Sequence, residues 1–158
     1  MTVESQISRA SYQGNGSTAS FPVPFYFLNA DDLDVILVTD EPLTVTTLLL
    51  SRDYTITGVG NPQGGAVLTT IPPPSQSKLI ILRNISLTQL THYVPNDPFP
   101  AKSHERALDK LTMIAQQMSE VLSRTITLPV YSDVKPEDYL TALETMKQEA
   151  AQDFAVYC

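Results

Sequence analysis

Tryptophan is absent from these 158 residues, cysteine occurs once and glycine only six times. Each shortage removes a class of protein. A lone cysteine, Cys158, leaves no internal disulfide framework, so the chain is expected to fold in a reducing cytoplasm. Its thiol reads as a solvated terminal group in preference to a reactive or crosslinking one. Ten lysines and arginines are scattered without a run against seventeen aspartates and glutamates, for a formal charge of −7. Nucleic acid and anionic membrane both demand clustered positive charge, so neither is an expected partner. No apolar run approaches the roughly 20 residues that cross a bilayer. No basic start followed by an apolar core marks a secretion signal. The chain is expected to be soluble.

What is present is a globular composition, 42% hydrophobic and 17% charged, with twelve prolines that imply stiff connections. That is enough for one ordinary domain with a real core and an appendage. From Ile7 to about Tyr93 the signals are those of strands. Ile7 to Tyr12 runs into a turn, Gly14-Asn15-Gly16-Ser17. Phe21, Val23 and Phe25 alternate with Pro22 and Pro24, which puts three large side chains on one face and predicts a sheet edge. Leu33 to Val38, Leu43 to Leu50, Tyr54 with Ile56, and Ala66 to Ile71 are further strands. Lys78 to Arg83, apolar at Leu79, Ile80, Ile81 and Leu82, predicts a central strand covered on both sides. With no helical segments between them, these strands predict an antiparallel sandwich.

Prolines and Asn96-Asp97 between Thr91 and Pro100 mark a boundary, with Ser103 as a candidate N-cap. A helix is expected from about His104 to Arg124, with Glu105 favourable to its dipole. On it Leu108, Leu111, Ala115, Met118 and Leu122 recur in steps of three and four, the seam of a helix that packs on copies of itself. A second apolar line runs through Ala107, Ile114 and Val121. The combined stripe suits either a three-stranded bundle or a helix lying on its own domain, or one line for each. After an extended stretch from Thr125 to Lys135, Pro136 opens a second helix, with Glu137 and Asp138 of the right charge. Tyr139, Leu143, Met146 and Ala150 give it a weaker seam. The class is therefore α+β: a β-sandwich over 1–97, an oligomerisation helix and extended strand over 98–130, and an amphipathic helix over 131–158. Both helices are expected to pack in a trimeric bundle.

A constellation for catalysis is not visible. His92 and His104 have no metal-ligand spacing to each other or to Cys158, and read as structural or surface residues. Asp31, Asp32 and Asp34 could offer oxygens to calcium, but an acidic strand entry explains them more simply. Gly14-Asn15-Gly16-Ser17 and Gly58-Val59-Gly60 lead into no helix with a suitably placed lysine, so they are turns and not phosphate cradles. No Gly-x-Ser-x-Gly elbow occurs. The expectation is a non-enzyme without cofactor or metal.

In order and spacing, several pieces resemble the N-terminal virion-anchoring domain of tail fibre and tailspike proteins of short-tailed bacteriophages. They are Tyr12-Gln13-Gly14-Asn15-Gly16-Ser17, Phe21-Pro22-Val23-Pro24-Phe25, Asp53-Tyr54, Gly64-Gly65 and Leu79-Ile80-Ile81-Leu82-Arg83. Leu87-Thr88-Gln89, Tyr93, Phe99-Pro100-Ala101, His104 to Leu111, Gln116-Gln117 and Arg124 to Pro129 complete them. The similarity covers about residues 7 to 130. It implies a homotrimer in the virion tail, made in the host cytoplasm, docked on a tail nozzle or adaptor protein. Receptor binding is not carried over, because no distal β-helix or long coiled coil follows Cys158. A separate distal spike or fibre polypeptide is the expected further partner. Two alternatives have other discriminating features. A monomeric carbohydrate- or peptide-binding sandwich needs exposed rings on one face, with Tyr26, Phe27, Tyr54 and Tyr93 as candidates. A fibre assembly chaperone would be missing from the mature particle.

Overall fold

Alternating apolar residues in the first half of the chain resolve into two antiparallel sheets. A computed structural model describes residues 3, 5–40, 42–88, 100–125 and 135–156, the side chains of 136 and 148–156 excepted. The expectations for His92, Tyr93, Phe99, Cys158, the Ala150 side chain and the stretch 126–134 fall outside those residues. Among the described residues the strands are β1 (Arg9–Gln13), β2 (Ser20–Val23), β3 (Leu33–Asp40), β4 (Leu43–Thr47), β5 (Tyr54–Thr57), β6 (Gly65–Thr69) and β7 (Ser77–Arg83). One sheet has the order β1-β7-β3-β4 and the other β2-β6-β5.

The sheets face each other across one core. Phe21 and Val23 of β2, Val67 of β6 and Tyr54 of β5 meet Leu33 and Val35 of β3 and Leu79 and Ile81 of β7, all buried. Tyr12 closes one edge, its ring 5.4 Å from that of Phe21 and its hydroxyl donating to the Pro22 carbonyl at 2.6 Å. The proline-interrupted β2 lies at a sheet edge, where a missing amide costs no ladder bond. Strand β7 is central, between β1 and β3, but only one of its faces is fully covered. Ile80 and Leu82 are half-buried, with Ser11 and Arg9 beside them on β1. The apolar run thus reports a central position without a second covering layer.

Gly64-Gly65 explains how β6 fits between its neighbours. Gly64 has φ +85°, and a Cβ there would stand 1.8 Å from the Val23 carbonyl oxygen. A Cβ on Gly65 would stand 1.9 Å from the Thr57 carbonyl oxygen. Both partner strands approach too closely for any side chain.

Packing divides the chain into two units, Met1–Glu120 and Val121–Cys158. Helix α1 (Ala101–Ser123) contributes most of its length to the first, and α2 (Pro136–Val156) lies in the second. Ser103 is not the N-cap: α1 starts two residues earlier, and its first turn closes on the Pro100 carbonyl, which accepts from His104 N–H at 3.1 Å. Pro136 does open α2, and the Asp138 carboxylate accepts from Lys135 N–H at 3.3 Å.

Candidate assembly interface

A helix that turns every 3.6 residues places positions 109, 113, 116, 117 and 120 on one side and 108, 111, 115, 118 and 122 on the other. On α1 those two sides have opposite fates. Met113 is fully buried in a small cluster with Tyr26, Leu28 and Ile85, and Val3 and Ile114 pack against it. The rest of this inner side is polar and bonded. Gln117 Oε1 accepts from Ile85 N–H at 2.7 Å, while its Nε2 donates to Asn84 Oδ1 at 3.2 Å. Gln116 Nε2 donates to the Ser5 carbonyl at 3.0 Å. Glu120 forms an ion pair with Arg9 at 3.7 Å.

Arg83, at the end of β7, is 2% exposed. One of its terminal nitrogens donates to the Tyr26 carbonyl at 2.8 Å and the other to Gln116 Oε1, and its guanidinium carbon lies 5.8 Å from the Phe25 ring centre. Its Nε has no hydrogen-bond partner among the described residues. Burial lowers its pKa to about 10, against the opposing charge of Asp32. Burial likewise pushes the Asp109 carboxyl up, while a backbone hydrogen bond from Val3 works the other way.

The opposite side of α1 carries the predicted seam residues, and among the described residues they are exposed. Leu108 is 52% exposed, Leu111 61%, Met118 57% and Leu122 60%. Ala115 between them is also exposed. Of the second apolar line, Val121 is exposed, Ala107 half-buried, and Ile114 packs on the Met113 cluster. On α2, Tyr139, Leu140, Leu143 and Met146 are exposed. Sequence reasoning missed Arg83, Asp109, Gln116 and Gln117 as the residues that seat α1. The signal available for them was their place among the pieces that carried the resemblance.

The remaining candidates are used locally. The Asp32 carboxylate accepts from the Asn29 backbone and side chain at 2.8 and 3.1 Å, and Asp34 accepts from Asn84 at 2.7 Å. These bonds hold the entry to β3. Asn15 Oδ1 accepts from the backbone of Ser17 and Thr18, an Asx turn. His104 is exposed in the first turn of α1. An apolar cavity of about 230 Å³ lies beside Leu37, Leu48 and Pro72-Pro73-Pro74, with the Arg52–Asp53 pair on its lining. It gathers no nucleophile with a base and no set of metal ligands among the described residues. No described helix is long and apolar enough to cross a membrane.

The class the fold defines is a two-sheet antiparallel sandwich that seats a two-faced helix by its polar side. No protein-family model matches the chain. Over 131 residues, 83% of its length, it is 37% identical to the tail spike protein of Salmonella phage epsilon15. The matching part is the N-terminal region of that protein and 12% of its length. The chain is thus a counterpart of the N-terminal region of a phage tail spike protein.

Proposed function

We propose that this chain anchors a receptor-binding spike or fibre to the phage tail, as a non-enzymatic homotrimer. The observation that supports this is the ridge on α1. Its apolar residues lie on the side of the helix opposite the one that packs on the sandwich, and among the described residues they stay exposed, a face suited to a second copy of the chain. Three copies would bring Leu108, Leu111, Ala115, Met118 and Leu122 together near a common axis, with Ile114 and Val121 on the flanks. Three sandwiches (residues 1–97) would then lie outside the bundle and meet a nozzle or adaptor protein of the tail. Residues 98–130 would carry the oligomer contact. Tyr139, Leu143, Met146 and Ala150 of α2 would continue the association toward the distal spike.

A monomeric sugar-binding module gains no support from the candidate rings among the described residues. Tyr26, Phe27 and Tyr54 are all buried, and Tyr54 donates its hydroxyl to the Leu33 carbonyl inside the core. The decisive experiment has two measurements. Light scattering on the purified chain should give three times the single-chain mass, and mass spectrometry of purified virions should detect the chain. A single-chain mass at all concentrations, or absence from the particle, rejects the anchor reading.

A further inference from the structure

Hydrophobicity alone would seat α1 the other way round. Four of the five ridge residues are large and apolar, whereas the side that meets Tyr26, Leu28 and Ile85 offers Met113 flanked by Asp109, Gln116, Gln117 and Glu120. Burial of apolar surface has no direction of its own, so it cannot choose this orientation against a more apolar alternative. Hydrogen bonds can. With the helix rotated by half a turn, Arg83, the Ile85 N–H and the Ser5 carbonyl would lose their partners in a dry contact, which is costly for each group.

Arg83 is an odd choice for stability. Among the described residues its hydrogen bonds go to neutral groups, the Asp32 charge favours it without an ion-pair contact, and burying its charge is costly. Its geometry has another use. One terminal nitrogen grips the Tyr26 carbonyl on the sandwich and the other grips Gln116 on the helix, while Gln117 one residue on holds Asn84 and Ile85 just past β7.

We propose that Arg83, Gln116 and Gln117 form a polar key that fixes the rotation of α1 on the sandwich, so that the Leu108–Leu122 ridge must face outward. The key is a positioning device. Its consequence for assembly rests on the trimer reading above, but its action on the helix does not.

Hydrogen exchange on the full chain tests this, with Arg83→Met as the main variant. The α1 amides should exchange at least about tenfold faster in the variant, while amides of β3 and β7 keep their protection. The oligomer mass should fall. Gln116→Glu, which gives Arg83 a carboxylate, should slow exchange in α1. A residue that only fills space would leave α1 protected in Arg83→Met, and that result overturns the key. Should Arg83→Met fail to fold, the double variant Gln116→Ala/Gln117→Ala is measured in the same way and decides. The two readings fail separately. A parent chain that is monomeric, yet loses α1 protection in the variant, keeps the key and rejects the trimer. A parent trimer whose variant keeps both mass and protection does the reverse.

Discussion

Leu111 and Met113 stand two residues apart on α1 and end in opposite surroundings, Met113 fully buried on the sandwich and Leu111 61% exposed. Substitution at the two positions should therefore separate folding from assembly. Met113→Ala empties a closed site between Tyr26, Leu28 and Ile85 and should cost about 2–5 kcal/mol in urea unfolding. Leu111→Asp should leave the folded single chain intact. In a trimer it would bring three carboxylates together in an apolar seam, where desolvation of charge is prohibitive. Light scattering should then report a single-chain mass. An unchanged trimer for Leu111→Asp removes this ridge as the interface.

Gly64 allows a sharper test of the sandwich. Its φ of +85° and its 1.8 Å approach to the Val23 carbonyl leave no room for Cβ and no relaxed backbone for an L residue. Gly64→Ala must push β2 away from β6 or strain the turn before β6. A loss of about 3 kcal/mol or more is expected, at the severe end for single substitutions. Thermal melting with retained strand content by circular dichroism is the measurement. Gly60, with φ +74° and open space around it, should tolerate alanine better.

Strands β2, β3 and β7 were legible because each has one buried face, and a period of two shows that face directly. Phe21, Val23 and Phe25, or Leu33 and Val35, can be read as core without a structure. The apolar stripe of α1 was legible as well, since apolar residues at steps of three and four announce it. What the stripe could not reveal was that the helix docks on the sandwich by its opposite side. That side is polar except for Met113, and its partners are backbone groups at Ser5 and Ile85 and the side chains of Asn84 and the distant Arg83. Glutamine in a helix reads as solvated surface until a buried donor is placed beside it. The N-cap was misplaced because Ser103 fits the preference, while the carbonyl that closes the turn belongs to Pro100, whose missing N–H leaves no mark in a capping pattern.

Asp109 predicts a dependence on pH. Burial on the inner side of α1 raises its pKa above the ordinary carboxylate value. A carboxyl raised in the folded state contributes most to stability when protonated, below its unfolded pKa, and loses that contribution as pH rises through the folded pKa. The ionised form therefore works against the fold. Asp109→Asn keeps an acceptor for Val3 N–H and removes the charge. Its melting temperature should exceed the parent's at about pH 7, with the gap closing toward about pH 3. A gap that widens on acidification would show that the ionised form is the favoured one.

Strand β4 offers the contrast that makes the helix result specific. It is an edge of its sheet, exposed at every position, with Leu43 and Val45 outward and Val45 paired with Val38 on β3. Open edges with β-branched residues invite pairing with other chains, and lysine suppresses it. Leu43→Lys with Val45→Lys should change folding stability by no more than about 0.5 kcal/mol for each position. If copies associate through α1, the doubly substituted chain keeps the parent mass in light scattering and gains solubility at high concentration. A drop to single-chain mass in this variant, with Leu111→Asp still trimeric, would move the contact from helix to sheet edge.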